Sequence, residues 1–147
     1  MTGYYNHRQY WSDHLKKQGA LYVSSGNSKK VNNVQQSVFS SALLQAIGDT
    51  DPGNILDFGC GVGRFAEIAL TKASSYTGVD IAAGAFEHAP EVPGAEFVGL
   101  PEDTIPFADG YFDSAMSLTV LQHIVDPEQF SNWAGELGRV VKSGGYF

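Results

Sequence analysis

Along the first 48 residues the apolar positions keep roughly helical spacing. Tyr10, Trp11, His14 and Leu15 fall at i, i+1, i+4 and i+5, and Val34, Val38, Leu43, Leu44 and Ile47 lead up to Gly48, a stop signal. Between these stretches SSGNSKK, Ser24 to Lys30, reads as a turn or loop. Residues 1–48 are therefore expected to form an N-terminal helical segment. Beyond them the pattern changes. Ile55 and Leu56 lead into Asp57, glycines follow at every second position (Gly59, Gly61, Gly63), and Phe65, Ala66, Ile68, Ala69 and Leu70 are again spaced as in a helix. This is strand, tight glycine turn, helix. Tyr76 to Asp80, YTGVD, reads as a second strand ending in a carboxylate, and Glu96 to Gly99, EFVG, as a short third. Alternating strands and helices predict an α/β fold over residues 49–147, a parallel sheet with helices on both faces.

Glycines belong where the backbone takes positive φ or lets a ligand approach closely, and a helix N-terminus behind them offers unpaired N–H groups. The turn at Gly59 to Gly63 therefore reads as a nucleotide-type binding site. The dinucleotide fingerprint G-x-G-x-x-G, counted from Gly59, requires glycine where Arg64 stands, which argues against NAD. The Gly-Lys-Ser/Thr ending of a P-loop is absent as well.

With Asp57 two residues before the first glycine, ILDFGCGVGRF (Ile55 to Phe65) resembles motif I of the class I S-adenosylmethionine-dependent methyltransferases, of the type 11-like kind. Further landmarks follow in order. Asp80 stands at roughly the 20-residue offset of a ribose-binding acid. IPFADGYFDSAMSL (Ile105 to Leu118) is similar to the family's turn and apolar strand four. VLQHI (Val120 to Ile124) resembles its next helix, and RVVKSGG (Arg139 to Gly145) its turn into strand five. The resemblance runs from about Asn54 to Phe147 and implies a Rossmann-like core whose C-terminal strands are missing from this chain. The chain is thus expected to be truncated at the start of strand five, to leave Val120, Leu121, Val140 and Val141 with exposed apolar faces, and to pair as a homodimer across the open edge.

The resemblance also implies roles. Asp57 and the backbone of Phe58, Gly59, Cys60, Gly61 and Gly63 would hold the methionine part of S-adenosylmethionine, and Asp80 the ribose. Ile81 and Leu100, with Pro101 and Glu102, would meet the adenine, and Ser117 with Leu118 the sulfonium region. Where family members often carry an acid against the adenine amino group, this chain has Leu100 and Pro101; Glu102 and Asp103 are the next carboxylates. N-terminal helices in the family cover the cofactor, which makes Tyr4, Tyr5, Tyr10 and Trp11 candidate substrate-binding lid residues, although Tyr10 and Trp11 also suit anchoring of a helix to the core. His123 is the titratable candidate for a general base near strand four, or a residue that packs or caps there. The histidines have no metal-ligand spacing, so no metal is implied.

Charge narrows the partners. Residues 1–48 carry five basic side chains against Asp13, net +4, while residues 49–147 carry four against fifteen acids, net −11. An acidic core disfavours a nucleic-acid acceptor; the basic arm either complements that core or captures an anionic acceptor. The single cysteine, Cys60, fits a reducing, cytoplasmic setting and packing under the loop. No apolar run is long enough for a membrane span. The expectation is a cytoplasmic methyltransferase acting on a small-molecule acceptor, or a non-catalytic domain that binds S-adenosylmethionine without turnover.

Overall fold

The computed structural model describes residues 6–19 and 28–147. Tyr4, Tyr5 and residues 24–27 of the expected turn lie outside the described residues. Helices α1 (His7–Gln18) and α2 (Lys29–Ile47) precede β1 (Asn54–Phe58), α3 (Ala66–Ala69), β2 (Ser75–Asp80), a 3-10 helix (Ala83–His88), β3 (Ala95–Gly99) and β4 (Phe112–Met116). A 3-10 turn (Leu121–His123), α4 (Pro127–Val140) and β5 (Val141–Tyr146) complete the chain. The strands form one parallel sheet in the order β3-β2-β1-β4-β5. The chain moves outward from β1 to β3 and returns to β4 on the other side of β1, so the switch point at which such sheets bind ligands lies between β1 and β4.

Period-two alternation distributes the sheet between two cores. Leu56, Phe58, Val79 and Phe112 pack with Trp133, Leu137 and Val140 of α4 on one face. Ile55, Tyr76 and Met116 pack with Leu43 and Ile47 of α2 and Phe65, Ala66 and Ala69 on the other. This is a Rossmann-like sheet with helices on both faces. No described helix is long and apolar enough to cross a membrane.

Local chemistry sets the helix ends. Asn6 Oδ1 accepts from Gln9 N at the start of α1, Ser28 Oγ from Val31 N at the start of α2, and Gly48 (φ 58°) ends α2. Asp126 accepts from Glu128 N and Gln129 N, with Pro127 in the first turn of α4.

Four expectations change. The helix after the glycine turn is only Ala66–Ala69, because the three positive-φ glycines delay its start. The expected helix at Val120 to Ile124 is a single 3-10 turn, squeezed between Thr119 at φ 63° and the Asp126 cap that starts α4. Strand five is Val141–Tyr146 itself, not a segment after Gly145, so the core has five strands rather than four. Nor do Val120, Leu121, Val140 and Val141 present apolar faces to solvent. Val140 is fully buried and the others pack against the core, leaving Val125, Phe130, Tyr146 and Phe147 exposed.

The segment leading to β4 is clasped by α4. Glu136 Oε2 accepts from Thr104 Oγ1 and Ile105 N, both at 2.8 Å, while Arg139 donates to the carbonyls of Ile105 and Phe107 and to Asp109. The hydrogen bonds from Arg139 hold the Glu136 carboxyl below its usual value of 4.5, at about 2, against the opposing effect of burial. A depressed carboxyl stabilises the fold above its unfolded value and loses that contribution as pH falls through its folded one. Glu136→Gln should melt at lower temperature than the parent at neutral pH, and the gap should close between pH 4.5 and 2. Circular dichroism melts across that range check this; a constant gap would assign Glu136 a packing role alone.

Candidate functional site

At the carboxyl end of β1 the backbone enters the glycine turn with Asp57 at 2% exposure. Its Oδ2 accepts from the Tyr76 hydroxyl at 2.6 Å, a contact made across neighbouring strands of the sheet. Burial pushes the Asp57 carboxyl up to about 7; Tyr76 opposes the rise, nearby Asp80 adds to it and Arg64 counters it.

The turn itself is tied to β2. Gly59 N and Cys60 N both donate to Val79 O, at 2.8 and 3.1 Å, and Gly61 N donates to Asp80 Oδ2 at 2.8 Å. These N–H groups of the turn are therefore occupied within the protein. What faces the cavity is the Asp80 carboxylate, held also by Ala82 N on Oδ1 at 2.8 Å, together with the bare Cα of Gly61 at φ 56°. Burial raises the Asp80 carboxyl, and its backbone hydrogen bonds resist the rise.

A cavity of about 700 Å³ opens above these residues, within the size range of small-ligand sites. Asp57, Phe58, Gly59, Cys60 and Gly61 line it from β1 and its turn. Asp80 and Ile81 line it at the end of β2, Leu100, Pro101 and Glu102 just after β3, and Leu118 just after β4.

Helix α1 crosses over the cleft, anchored on two sides. Arg8 donates to Ile81 O at 3.2 Å and to Leu100 O at 2.7 Å, at the ends of β2 and β3. Trp11 meets the His123 ring edge-on, 5.1 Å between centroids, beyond the end of β4. Tyr10, Trp11 and His123 all line the cavity, as does His7. Burial, reinforced by nearby His123 and opposed by Asp126, draws the His7 imidazole below its ordinary value.

Two expected residues lie off the cavity lining. Gly63 faces Phe97, whose ring atoms would be 2.4 Å from an added Cβ, so its small size serves packing against β3. Ser117 Oγ donates to Phe58 O at 3.2 Å and ties the ends of β4 and β1 together. Cys60 is buried beside Gly78, and burial pushes its thiol far up, as suits packing rather than reactivity. Among the described residues no cluster of metal-ligating side chains occurs.

Sequence reasoning passed over Arg8, Arg64, Tyr76, Gln129 and Trp133. A signal existed for some of them. Arg8, Trp11 and Leu15 share an i, i+3, i+7 face of α1, and Gln129, Trp133 and Leu137 follow one another at i+4 along α4. Arg64, which donates to Asn32 Oδ1 at 2.9 Å and lies over the Phe65 ring, depends on a contact with α2 that no local pattern reveals.

The comparisons with known proteins agree with one another. A family model described as a methyltransferase domain matches residues 56–147. An uncharacterized methyltransferase of Mycobacterium sp. (strain JLS) is 34% identical over 106 residues, covering 70% of this chain and 41% of its own. A malonyl-[acyl-carrier protein] O-methyltransferase of Pseudescherichia vulneris is 28% identical, covering 69% and 37%. An 18S rRNA (guanine-N(7))-methyltransferase of Bos taurus is also 28% identical, covering 80% and 42%. The chain thus spans about two fifths of the length of the curated relatives it matches. Among solved structures, the PH0226 protein of Pyrococcus horikoshii OT3 shares the fold with a TM-score of 0.73 at 21% identity, covering 91% of this chain and 63% of that one.

Asp57 carries a pH prediction. Its folded value near 7 lies above the usual 3.8, so the stability attached to it is fully present below 3.8 and is lost as pH rises through 7. Asp57→Asn should make the decline of stability between those values shallower, with Asp80 left to supply the remainder. Denaturant titrations at several pH values would show it; an unchanged slope would mean that the charge is not buried at Asp57.

Proposed function

This chain belongs to the methyltransferase-domain family, and from that membership we propose that it binds S-adenosylmethionine in the cleft beneath α1 and methylates a small-molecule acceptor. The observation that carries the reading is the Asp80 carboxylate, fixed through Gly61 N and Ala82 N at the wall of the cavity. A carboxylate oriented in this way matches a pair of ribose hydroxyls, because each oxygen keeps a lone pair beyond its backbone bond. The side-chain-free surface of Gly61 leaves room for a ligand lying on the turn, and the buried acid Asp57 suits a cationic amino group.

S-adenosylmethionine supplies a methyl group already activated by its sulfonium. The chain's part is to position and enclose: helix α1 contributes the lid, and Trp11 with Tyr10 offers an aromatic wall to an acceptor near the end of β4. His123, on the same side, is the proposed proton acceptor if the acceptor carries an O–H or N–H. The acidic core and the cover over the cleft favour a small molecule over RNA, since a phosphate backbone needs a basic track. The fuller form of the proposal is a cytoplasmic homodimer, supported by the buried thiol of Cys60 and by exposed Tyr146 and Phe147 along β5.

Titration calorimetry with S-adenosylmethionine tests the cleft. Asp80→Ala should weaken binding by about 1.5 to 3 kcal/mol, because the ribose hydroxyls lose a charged acceptor; unchanged affinity would remove β2 from the site. Transfer of labelled methyl to small acceptors, set against tRNA and rRNA, decides the acceptor class, and binding without any turnover would favour the non-catalytic reading. Light scattering at micromolar concentration should find a dimer, and a well-folded monomer would remove that part of the proposal.

A further inference from the structure

We propose that Arg8 is the base-side clamp of the cofactor cleft, in a chain that lacks the carboxylate the resembled family often sets against adenine. The inference rests on the reading of the cleft as an S-adenosylmethionine site and goes beyond it by assigning base recognition to α1. This chain has Leu100 and Pro101 where such an acid would stand after β3. The polar group placed there comes instead from a segment distant in sequence: the Arg8 guanidinium bonds Ile81 O and Leu100 O and lines the cavity with both residues.

A planar guanidinium fixed by two carbonyls is preorganised, so its remaining N–H bonds and its face are available without further loss of side-chain freedom. Those donors match the acceptor ring nitrogens of a purine, and the face suits stacking on an aromatic ring. Glu102 and Asp103 also line the cavity but are exposed. Asp103 stands at φ 61°, and its carbonyl is taken by Asn132 Nδ2 at 2.8 Å. Arg8, by contrast, is part-buried, on the inward face of a helix anchored again at Trp11. Clamp and lid are one element, so a ligand base beneath Arg8 and the closure of α1 depend on each other.

Calorimetry with S-adenosylhomocysteine, with dissociation rates from stopped flow, tests the assignment. Arg8→Ala should weaken binding at least tenfold and speed dissociation by a similar factor. Arg8→Lys should restore only part, because an ammonium cannot bridge two carbonyls as a planar fork does. A larger loss in Glu102→Gln or Asp103→Asn than in Arg8→Ala would return the base to a carboxylate and overturn the proposal. Since Arg8→Ala also removes a tie between α1 and the sheet, the base is varied in the wild-type protein as an independent reading. S-inosylhomocysteine, with a 6-oxo purine, should bind at least as tightly as S-adenosylhomocysteine, because N3 and N7 still accept from a guanidinium and O6 adds an acceptor. A carboxylate at that edge requires the 6-amino donor and would reject the oxo base tenfold or more. Such rejection, or unaltered binding in Arg8→Ala, overturns the proposal. If the wild-type protein binds neither ligand, the cofactor reading itself falls, and if only Asp80→Ala loses binding, the clamp alone falls.

Discussion

The cleft depends on one half-buried carboxylate at the end of β2. Asp80 receives an N–H from Gly61, in the turn after β1, and another from Ala82, in its own turn, so two strand ends are fastened through a single side chain. Val79, one residue earlier, takes the N–H groups of Gly59 and Cys60. The glycine turn is thereby folded down onto β2, a geometry that Gly59 and Gly61 reach at φ 78° and 56°. Gly78 makes the close approach feasible, since an added Cβ would lie 2.7 Å from Cys60 Sγ. The same constraint brings Asp57 near Asp80, and the cost of setting two acids close together is offset by Tyr76 and Arg64.

Much of this was legible in the sequence because it is local. A strand of continuous apolar residues, glycines at alternate positions and an acid closing the next strand each follow from short-range rules, and Asp57, Gly61 and Asp80 do line one cavity. The errors arose where tertiary contacts decide. Gly63 looked like part of a ligand cradle, yet it is small because Phe97 comes from β3 to meet it. VLQHI has apolar spacing suited to a helix, but a left-handed Thr119 on one side and the Asp126–Pro127 start of α4 on the other leave room for a single turn. The Asp-Pro pair was the readable signal for that helix. The face that Arg8 shares with Trp11 and Leu15 was readable, but not what it meets, since its partners lie 73 and 92 residues away.

The N-terminal helices also make physical sense of the uneven charge. Arg8 brings a cation of the basic arm to the rim of the acidic cleft, bonded to strand-end carbonyls, while Arg64 of the core reaches back to Asn32 of α2. The basic arm is thus spent at least partly on the acidic core that follows it, and its attraction to external anions is reduced accordingly.

Helix α4 passes into β5 without an intervening loop, Val140 ending one and Val141 beginning the other. Gln129 and Trp133, in its first half, line the cavity, while its far end continues as the outer strand of the sheet, paired with β4 through a register shift at Phe112 and Ser114. Fourteen residues of α-helix measure about 21 Å and bend little. The helix is therefore a rigid spacer: its first half holds Gln129 and Trp133 at the cavity wall, and its last residue fixes where the outermost strand of the described sheet begins.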